Sequence, residues 1–332
     1  MDASSGPAER AIAPIRPVVY ADKQRRAVSF VEISRGCKNR CNFCQYGWLK
    51  PYRELDYSDI AALIARRETK TIRVFAADRY VHSQIDAIRG LLDSLKSWDS
   101  GSDVTVRAIL RDPSSLKSIR KTRVGIEGMS ERLRKMVGKP LAIEEIVRYL
   151  ALGREAGIRC FDWYMIYGLP GETDDDAEEW LRLVDACGPV MQGQVLAVHW
   201  NAFQPNPLTP MQWCAPAWRY PRERMQRIAE HHVPGMKIMH KPLMTSDAKM
   251  LERMVCTRGG LPSQKLVYNL ATNRGICEKQ PELVRREFER AHGFDCLGVL
   301  PGSTALPWDA FVRYDRAKLE AIAKAKGWID GR

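Results

Sequence analysis

Three cysteines within the thirteen residues from Gly36 to Trp48 are the part of this sequence best equipped for chemistry. Their spacing, Cys37-x3-Cys41-x2-Cys44, gathers three thiolates on one short loop, whereas a closed structural zinc or iron–sulfur site uses four protein ligands. A metal centre held by this loop keeps one coordination position open, and an open position is where chemistry can happen. A zinc half-site completed by a distant His or Cys is the alternative. Against it stand the surroundings of the loop. A strand-like run, Val28 to Ile33, leads straight into it, Arg35-Gly36 supplies a turn, and strand–helix units follow for about 170 residues.

An iron without a protein ligand can bind the amino and carboxylate groups of S-adenosylmethionine (SAM) and pass an electron into its sulfonium. The cysteine spacing, with aromatic Phe43 directly before the last cysteine, resembles the cluster loop of the radical SAM superfamily. The resemblance implies a 4Fe-4S cluster on Cys37, Cys41 and Cys44, with SAM bound beside Phe43. It further implies reductive cleavage of SAM to methionine and a 5'-deoxyadenosyl radical, abstraction of a substrate hydrogen, and an external electron donor such as flavodoxin or ferredoxin.

Such a loop has to be carried by something rigid. The pattern predicts strands at Val28 to Ile33, Ile72 to Ala76, Val104 to Ile109, Arg123 to Ile126, Phe161 to Tyr167 and Gln194 to Trp200, with helices notably at Val81 to Leu95, Ile143 to Ala156 and Asp174 to Ala186. Strands separated by helices imply a parallel sheet, because parallel neighbours need long return connections. Six units fall short of a closed barrel of eight, and the expectation is an α/β fold, a partial (β/α)6 TIM-like barrel over 28–205, with its site at the carboxyl ends of the strands. Residues 1–27, with Pro7, Pro14 and Pro17, read as an irregular arm. After Pro205 the strand–helix rhythm fails, and 206–332 read as a mostly helical appendage, with amphipathic stretches around Arg222 to Ile228, Ala248 to Met254, Lys265 to Ala271 and Pro281 to Ala291.

Further site residues follow from matching segments. The second strand of the family ends in a glycine-rich turn that meets the SAM amino group; here the place reads Ala76-Ala77-Asp78-Arg79 without a glycine pair, which leaves Ala77 and Asp78 as positional candidates, with helix capping as the other role for Asp78. Gly125-Ile126-Glu127-Gly128 followed by Ser130-Glu131-Arg132-Leu133-Arg134-Lys135 resembles the fourth-strand segment of the branch that holds methylthiotransferases, Elongator-type enzymes and cobalamin-dependent members, and implies that Glu127 lies near SAM, with a structural pairing to a nearby arginine as its other role. Leu110-Arg111-Asp112-Pro113 resembles the preceding segment of the same relatives, where the arginine meets the SAM carboxylate. Tyr164-Met165-Ile166-Tyr167-Gly168-Leu169-Pro170-Gly171-Glu172-Thr173 is a family string whose role is mainly architectural, with Thr173 as an N-cap. Strand alternation puts Asp162 and Tyr164 on one face, and His199 and Asn201 on one face of the next strand, either as substrate-side candidates or as satisfied core polar groups. Phe203 to Trp213 and Leu306 to Asp309 resemble segments of radical SAM proteins usually fused to a cobalamin domain, but the stretch before the first strand is too short for such a domain of roughly 100 residues.

Composition narrows the class. No run of apolar residues suits a membrane span or an export signal, and nine cysteines, three of them clustered, suit a reducing compartment, so a cytoplasmic protein is expected. Of the net charge of +12, residues 206–332 carry +8, with Arg285 and Arg286 among them. A basic surface favours a polyanion. The substrate expectation is accordingly a DNA or RNA base to be modified or rearranged, one form being phage-type DNA hypermodification. A peptide or protein side chain is the rival substrate, and a non-catalytic iron–sulfur protein that binds nucleic acid is the rival class. Cys256, Cys277 and Cys296, about twenty residues apart, stand either for an auxiliary cluster or for isolated buried thiols.

Overall fold

β1 (Val18–Ala21) lies antiparallel to β2 (Ala27–Glu32), with Val18 opposite Phe30. The expected irregular arm therefore contributes a strand, whose backbone pairs with the edge of β2. The rest of that arm, residues 1–17 and 22–26, lies outside the described residues. The computed structural model describes residues 18–21, 27–95, 98–99, 104–116, 121–273 and 275–329. The chain divides into two units, Met1–Arg40 with Tyr46–Arg123 and Cys41–Gln45 with Val124–Arg332.

In the first unit a short antiparallel pair, β3 (Ser34–Arg35) and β4 (Arg53–Glu54), follows β2, and α1 (Tyr57–Ala65) returns the chain to β5 (Thr71–Phe75), parallel to β2 with Val31 opposite Val74. Ile60, Leu63 and Ile64 of α1 and Ile88 and Leu92 of α2 (Ile85–Asp93) bury against Val31, Ile33, Ile72 and Val74. Each such side chain contributes about 1.5–3 kcal/mol. The second helix begins at Ile85 rather than at Val81, since Arg79–Val81 forms a 3-10 turn.

The third expected strand is absent. Residues 104–109 alternate like a strand, yet α3 (Val106–Arg111) occupies them: Thr105 is extended and its hydroxyl accepts from Ala108 N at 3.2 Å, a helix N-cap followed by good helix formers. The parallel partner of β5 is instead β6 (Trp98–Asp99), with Ile72 opposite Trp98.

In the second unit the sheet order is β10-β9-β8-β7, formed by β7 (Lys121–Glu127), β8 (Cys160–Tyr167), β9 (Val195–Ala202) and β10 (Lys237–His240). β8 and β9 run parallel, as do β9 and β10. The last strand continues the parallel sheet beyond Pro205, in the region expected to be mostly helical; at four residues it is too short to show a period. Between β7 and β9 lie α4 (Glu131–Met136), α5 (Ile143–Glu155) and α6 (Asp174–Cys187), while α7 (Arg222–Glu230), α8 (Asp247–Arg258), α9 (Gln264–Thr272), α10 (Ile276–Lys279), α11 (Pro281–His292) and α12 (Arg316–Ala325) make the C-terminal region helical.

Alternation along β8 and β9 decides what the sheet presents on each face. Phe161 meets Tyr149 of α5 edge-on, and Trp163 and Trp200 both pack edge-on against Trp180 of α6, at 5.9 and 5.1 Å between ring centres. With the odd residues of β8 committed to the helices, Asp162, Tyr164 and Ile166 face the other way. The turn after β8 is drawn in by Glu172, which accepts from Gly168 N and Leu169 N at 3.0 and 3.2 Å and from the Tyr220 hydroxyl. Thr173 is the N-cap of α6, and its N–H donates to Asp176 at 2.8 Å.

Candidate functional site

The cysteine loop starts in the first unit. Gly36 has φ +78°, and a Cβ there would stand 2.8 Å from the carbonyl oxygen of Pro51, so the turn before Cys37 admits only glycine. Cys37 is half-buried, and Asn39 N donates to its sulfur at 3.4 Å. Asn39 also donates through Nδ2 to Asp78 Oδ2 at 2.9 Å, while Asp78 Oδ1 accepts from Tyr80 N at 3.1 Å. Asp78 therefore caps a turn and steadies the residues between Cys37 and Cys41. Ala77 is exposed beside it, and Arg111, at the end of α3, donates to the carbonyl of Tyr80 at 3.2 Å. The first unit thus gathers Asp78 and Arg111 around the segment 77–80.

The remaining loop residues belong to the second unit, where backbone and amide bonds sew them down. Asn42 donates from its backbone to Val137 O at 2.9 Å and from its side chain to Met136 O at 2.7 Å. Asn206 Nδ2 donates to Phe43 O at 3.0 Å, and Gln45 Nε2 to Pro207 O at 2.9 Å. Cys41 is buried and Cys44 half-buried. Beside both sulfurs stands Lys139: burial opposes its charge, but the Glu127 carboxylate and then Cys41 and Cys44 outweigh it and hold the ammonium above its ordinary range.

Glu127 ends β7 in the left-handed region at φ +71°, a conformation that costs a non-glycine residue about 1 kcal/mol or more and clusters at functional sites. Its Oε1 accepts from Lys139 Nζ at 2.7 Å, and among the described residues its Oε2 has no partner. Gly125 makes room for that pair, since a Cβ there would lie 2.0 Å from Glu127 Oε1 and 2.4 Å from Lys139 Nζ.

Register places Tyr164 opposite His199 and Ile166 opposite Asn201. The rings of Tyr164 and His199 stack at 4.9 Å, and His199 Nε2 lies 3.6 Å from Asp162 Oδ2, too long for a hydrogen bond; that nitrogen is buried and unsatisfied. A cavity of about 380 Å³ opens on this face, and its wall includes Phe43, Glu127, Tyr164, Asn201, Asn206 and Arg253. The sequence-predicted Phe43, Glu127 and Tyr164 are thereby brought together, with Asp162 and His199 behind Tyr164. Lys139, Asn206 and Arg253 were missed. Lys139 sits twelve residues beyond Glu127 in a Gly-Lys-Pro turn, and the nearest signal for it was Gly125, small where a strand end must pass an ion pair.

Among the described residues no three His, Cys, Asp or Glu side chains converge on one metal position. The loop cysteines form no disulfide, and Cys41 and Cys44 both act on the charge of the Lys139 ammonium. Of the C-terminal cysteines, burial pushes Cys277 up to about 11 and Cys296 up to about 12. Arg285 is committed to Glu282 and Asp295, the latter at 2.7 Å. Among the described residues no helix is long and apolar enough to cross a membrane.

Comparison with known proteins bears on the same residues. The family model of the radical SAM superfamily matches residues 31–184. An uncharacterised protein of Methanocaldococcus jannaschii is 26% identical over 160 residues, 46% of this chain and 36% of that protein. The ribosomal protein uS12 methylthiotransferase RimO of Thermotoga sp. strain RQ2 is 27% identical over 186 residues, 49% of this chain and 43% of that protein. The chain therefore spans less than half the length of these relatives. Among solved structures, coproporphyrinogen III oxidase from Escherichia coli, a radical SAM enzyme, superposes on 56% of this chain and 46% of its own at a TM-score of 0.38 and 20% identity. The α/β fold of parallel strand–helix units is typical of the radical SAM partial barrel, a family whose cofactors are a 4Fe-4S cluster and SAM. By its cysteine loop and by the match over residues 31–184, this part of the chain is a radical SAM domain.

Proposed function

We propose that this protein is a radical SAM enzyme that modifies a nucleic-acid base or an already decorated base. A cluster on Cys37, Cys41 and Cys44 would supply the electron that opens SAM to methionine and a 5'-deoxyadenosyl radical, which takes a hydrogen atom from the substrate. The observation that carries the reading is the meeting, in one cavity wall, of Phe43 from the cysteine loop, Glu127 and the Tyr164 ring. Lys139 balances the charge of the Cys41 and Cys44 thiolates. Glu127, with one oxygen pinned, offers the other as an acceptor for an amino or hydroxyl group. Tyr164, 36% exposed and backed by His199, offers a flat face on which a planar base can stack. The net charge of +12 supports a polyanionic substrate.

Glu127→Ala is expected to weaken SAM binding about tenfold or more, the worth of one charge-assisted hydrogen bond, and to slow 5'-deoxyadenosine formation while the iron content stays the same. Equilibrium dialysis with SAM measures this, and unchanged affinity would make Glu127 a purely structural residue.

The match to a ribosomal protein methylthiotransferase favours a second reading, in which the substrate is a protein side chain. The two separate when the reduced protein is incubated anaerobically with SAM and with DNA oligonucleotides, RNA oligonucleotides or peptides in parallel. The proposed function predicts faster 5'-deoxyadenosine formation and a mass-shifted nucleoside with DNA or RNA. A mass change confined to a peptide would move the assignment to the second reading. Nucleic-acid binding without any 5'-deoxyadenosine would leave a non-catalytic iron–sulfur protein.

A further inference from the structure

The charged residues in the cavity wall are Glu127 and Arg253. They are not equivalent. Glu127 is neutralised by Lys139 at 2.7 Å, whereas Arg253 makes no hydrogen bond or ion pair among the described residues. The cavity therefore carries one uncompensated cation, on a side chain that otherwise has no structural task.

Arg253 is also well placed to use it. Met250, Leu251, Met254, Val255 and Arg258 bury the inner face of α8, which leaves position 253 on the open side. One turn further along, Thr257 Oγ1 accepts from Gln204 Nε2, and Gln204 lines the same cavity, so the helix is tied to the wall that Arg253 overlooks. A guanidinium presents a planar fork of donors that matches carboxylate and phosphate oxygens. Asn206 spends its amide N–H on Phe43 O, and Asn201 its own on His199 O at 3.3 Å, so each leaves a side-chain carbonyl as an acceptor near the exposed Tyr164 ring.

We propose that Arg253 is a specificity-determining residue that binds an oxyanion of the substrate, the phosphate of a nucleotide unit whose base lies toward Tyr164. The inference rests on the nucleic-acid reading above. The carboxylate of SAM presents the same oxyanion chemistry, and the test has to distinguish the two sources.

The test uses the reconstituted holoprotein and measures equilibrium binding of the four 2'-deoxynucleoside 5'-monophosphates, of the matching nucleosides, and of SAM. In the wild type at least one monophosphate should bind roughly ten- to a hundredfold more tightly than its nucleoside, the range expected of a charge-assisted pair. Arg253→Ala should erase that difference, Arg253→Lys should retain part of it, and neither should change SAM affinity. Because Arg253 is exposed and makes no bond among the described residues, both variants should fold as the wild type does. Equal affinity of monophosphates and nucleosides in the wild type, or a difference that persists in Arg253→Ala, would overturn the proposal. A tenfold loss confined to SAM would assign Arg253 to the cofactor carboxylate and overturn it as well. Failure of the enzyme reading itself is read separately, from the absence of 5'-deoxyadenosine in the reduced wild type.

Discussion

Replacing Cys37, Cys41 or Cys44 singly with alanine is expected to remove the brown iron–sulfur absorption of the reconstituted protein and, with it, all SAM cleavage. The loop offers three thiols where a closed site would have four, so no spare protein ligand is available to take over. Cys41 and Cys44 also share the neighbourhood of Lys139, whose ammonium they help to hold in its charged form. Cys277→Ala and Cys296→Ala should leave iron content and spectrum intact, because burial keeps those thiols protonated and thus poor ligands. Iron analysis and visible absorption check both halves. A loop variant with full iron content, or a Cys277 variant that loses half of it, would contradict the assignment.

Arg258→Ala is expected to cost roughly 3–5 kcal/mol of stability. The side chain is fully buried at the end of α8 and donates to four backbone carbonyls: Cys296 at 3.0 Å, Gly298 at 2.7 Å, Gln212 at 3.3 Å and Cys214. No carboxylate lies within ion-pair distance among the described residues, and burial lowers the guanidinium to about 10. Its contribution is the satisfaction of these four carbonyls. Arg258→Met, which restores much of the volume but no donor, should be nearly as destabilising in urea denaturation. If the methionine variant were within about 1 kcal/mol of wild type, packing rather than hydrogen bonding would be the cause. The same helix carries Arg253, so loosening α8 should also blur the cavity wall.

Local chemistry was legible wherever a short window contained all of it. The cysteine loop led to the superfamily whose model matches residues 31–184, and the expected fifth and sixth strands are the parallel pair that sets Tyr164 opposite His199. Windows failed where two periods coincide. Val104, Val106 and Ala108 alternate like a strand, but the cap at Thr105, visible only as one polar residue, makes the stretch a helix. Short elements were lost for the same reason, since β1 and β10 owe their existence to neighbouring strands rather than to their own four residues. The ion pair of Glu127 with Lys139 and the approach of Arg253 to the cavity depend on folding over long separations, and no local pattern announces them. Arg285 shows the converse: its charge counted toward a basic surface, yet the fold commits it to Glu282 and Asp295.

The most direct measurement of the central claim is the yield of 5'-deoxyadenosine and methionine after the reconstituted protein is reduced with dithionite in the presence of SAM under anaerobic conditions. The structure and the cysteine loop predict both products in equal amounts from the wild type, and neither from Cys44→Ala. A wild-type protein that binds iron and SAM but yields no 5'-deoxyadenosine, or one that retains zinc in place of iron on the same loop, would contradict it.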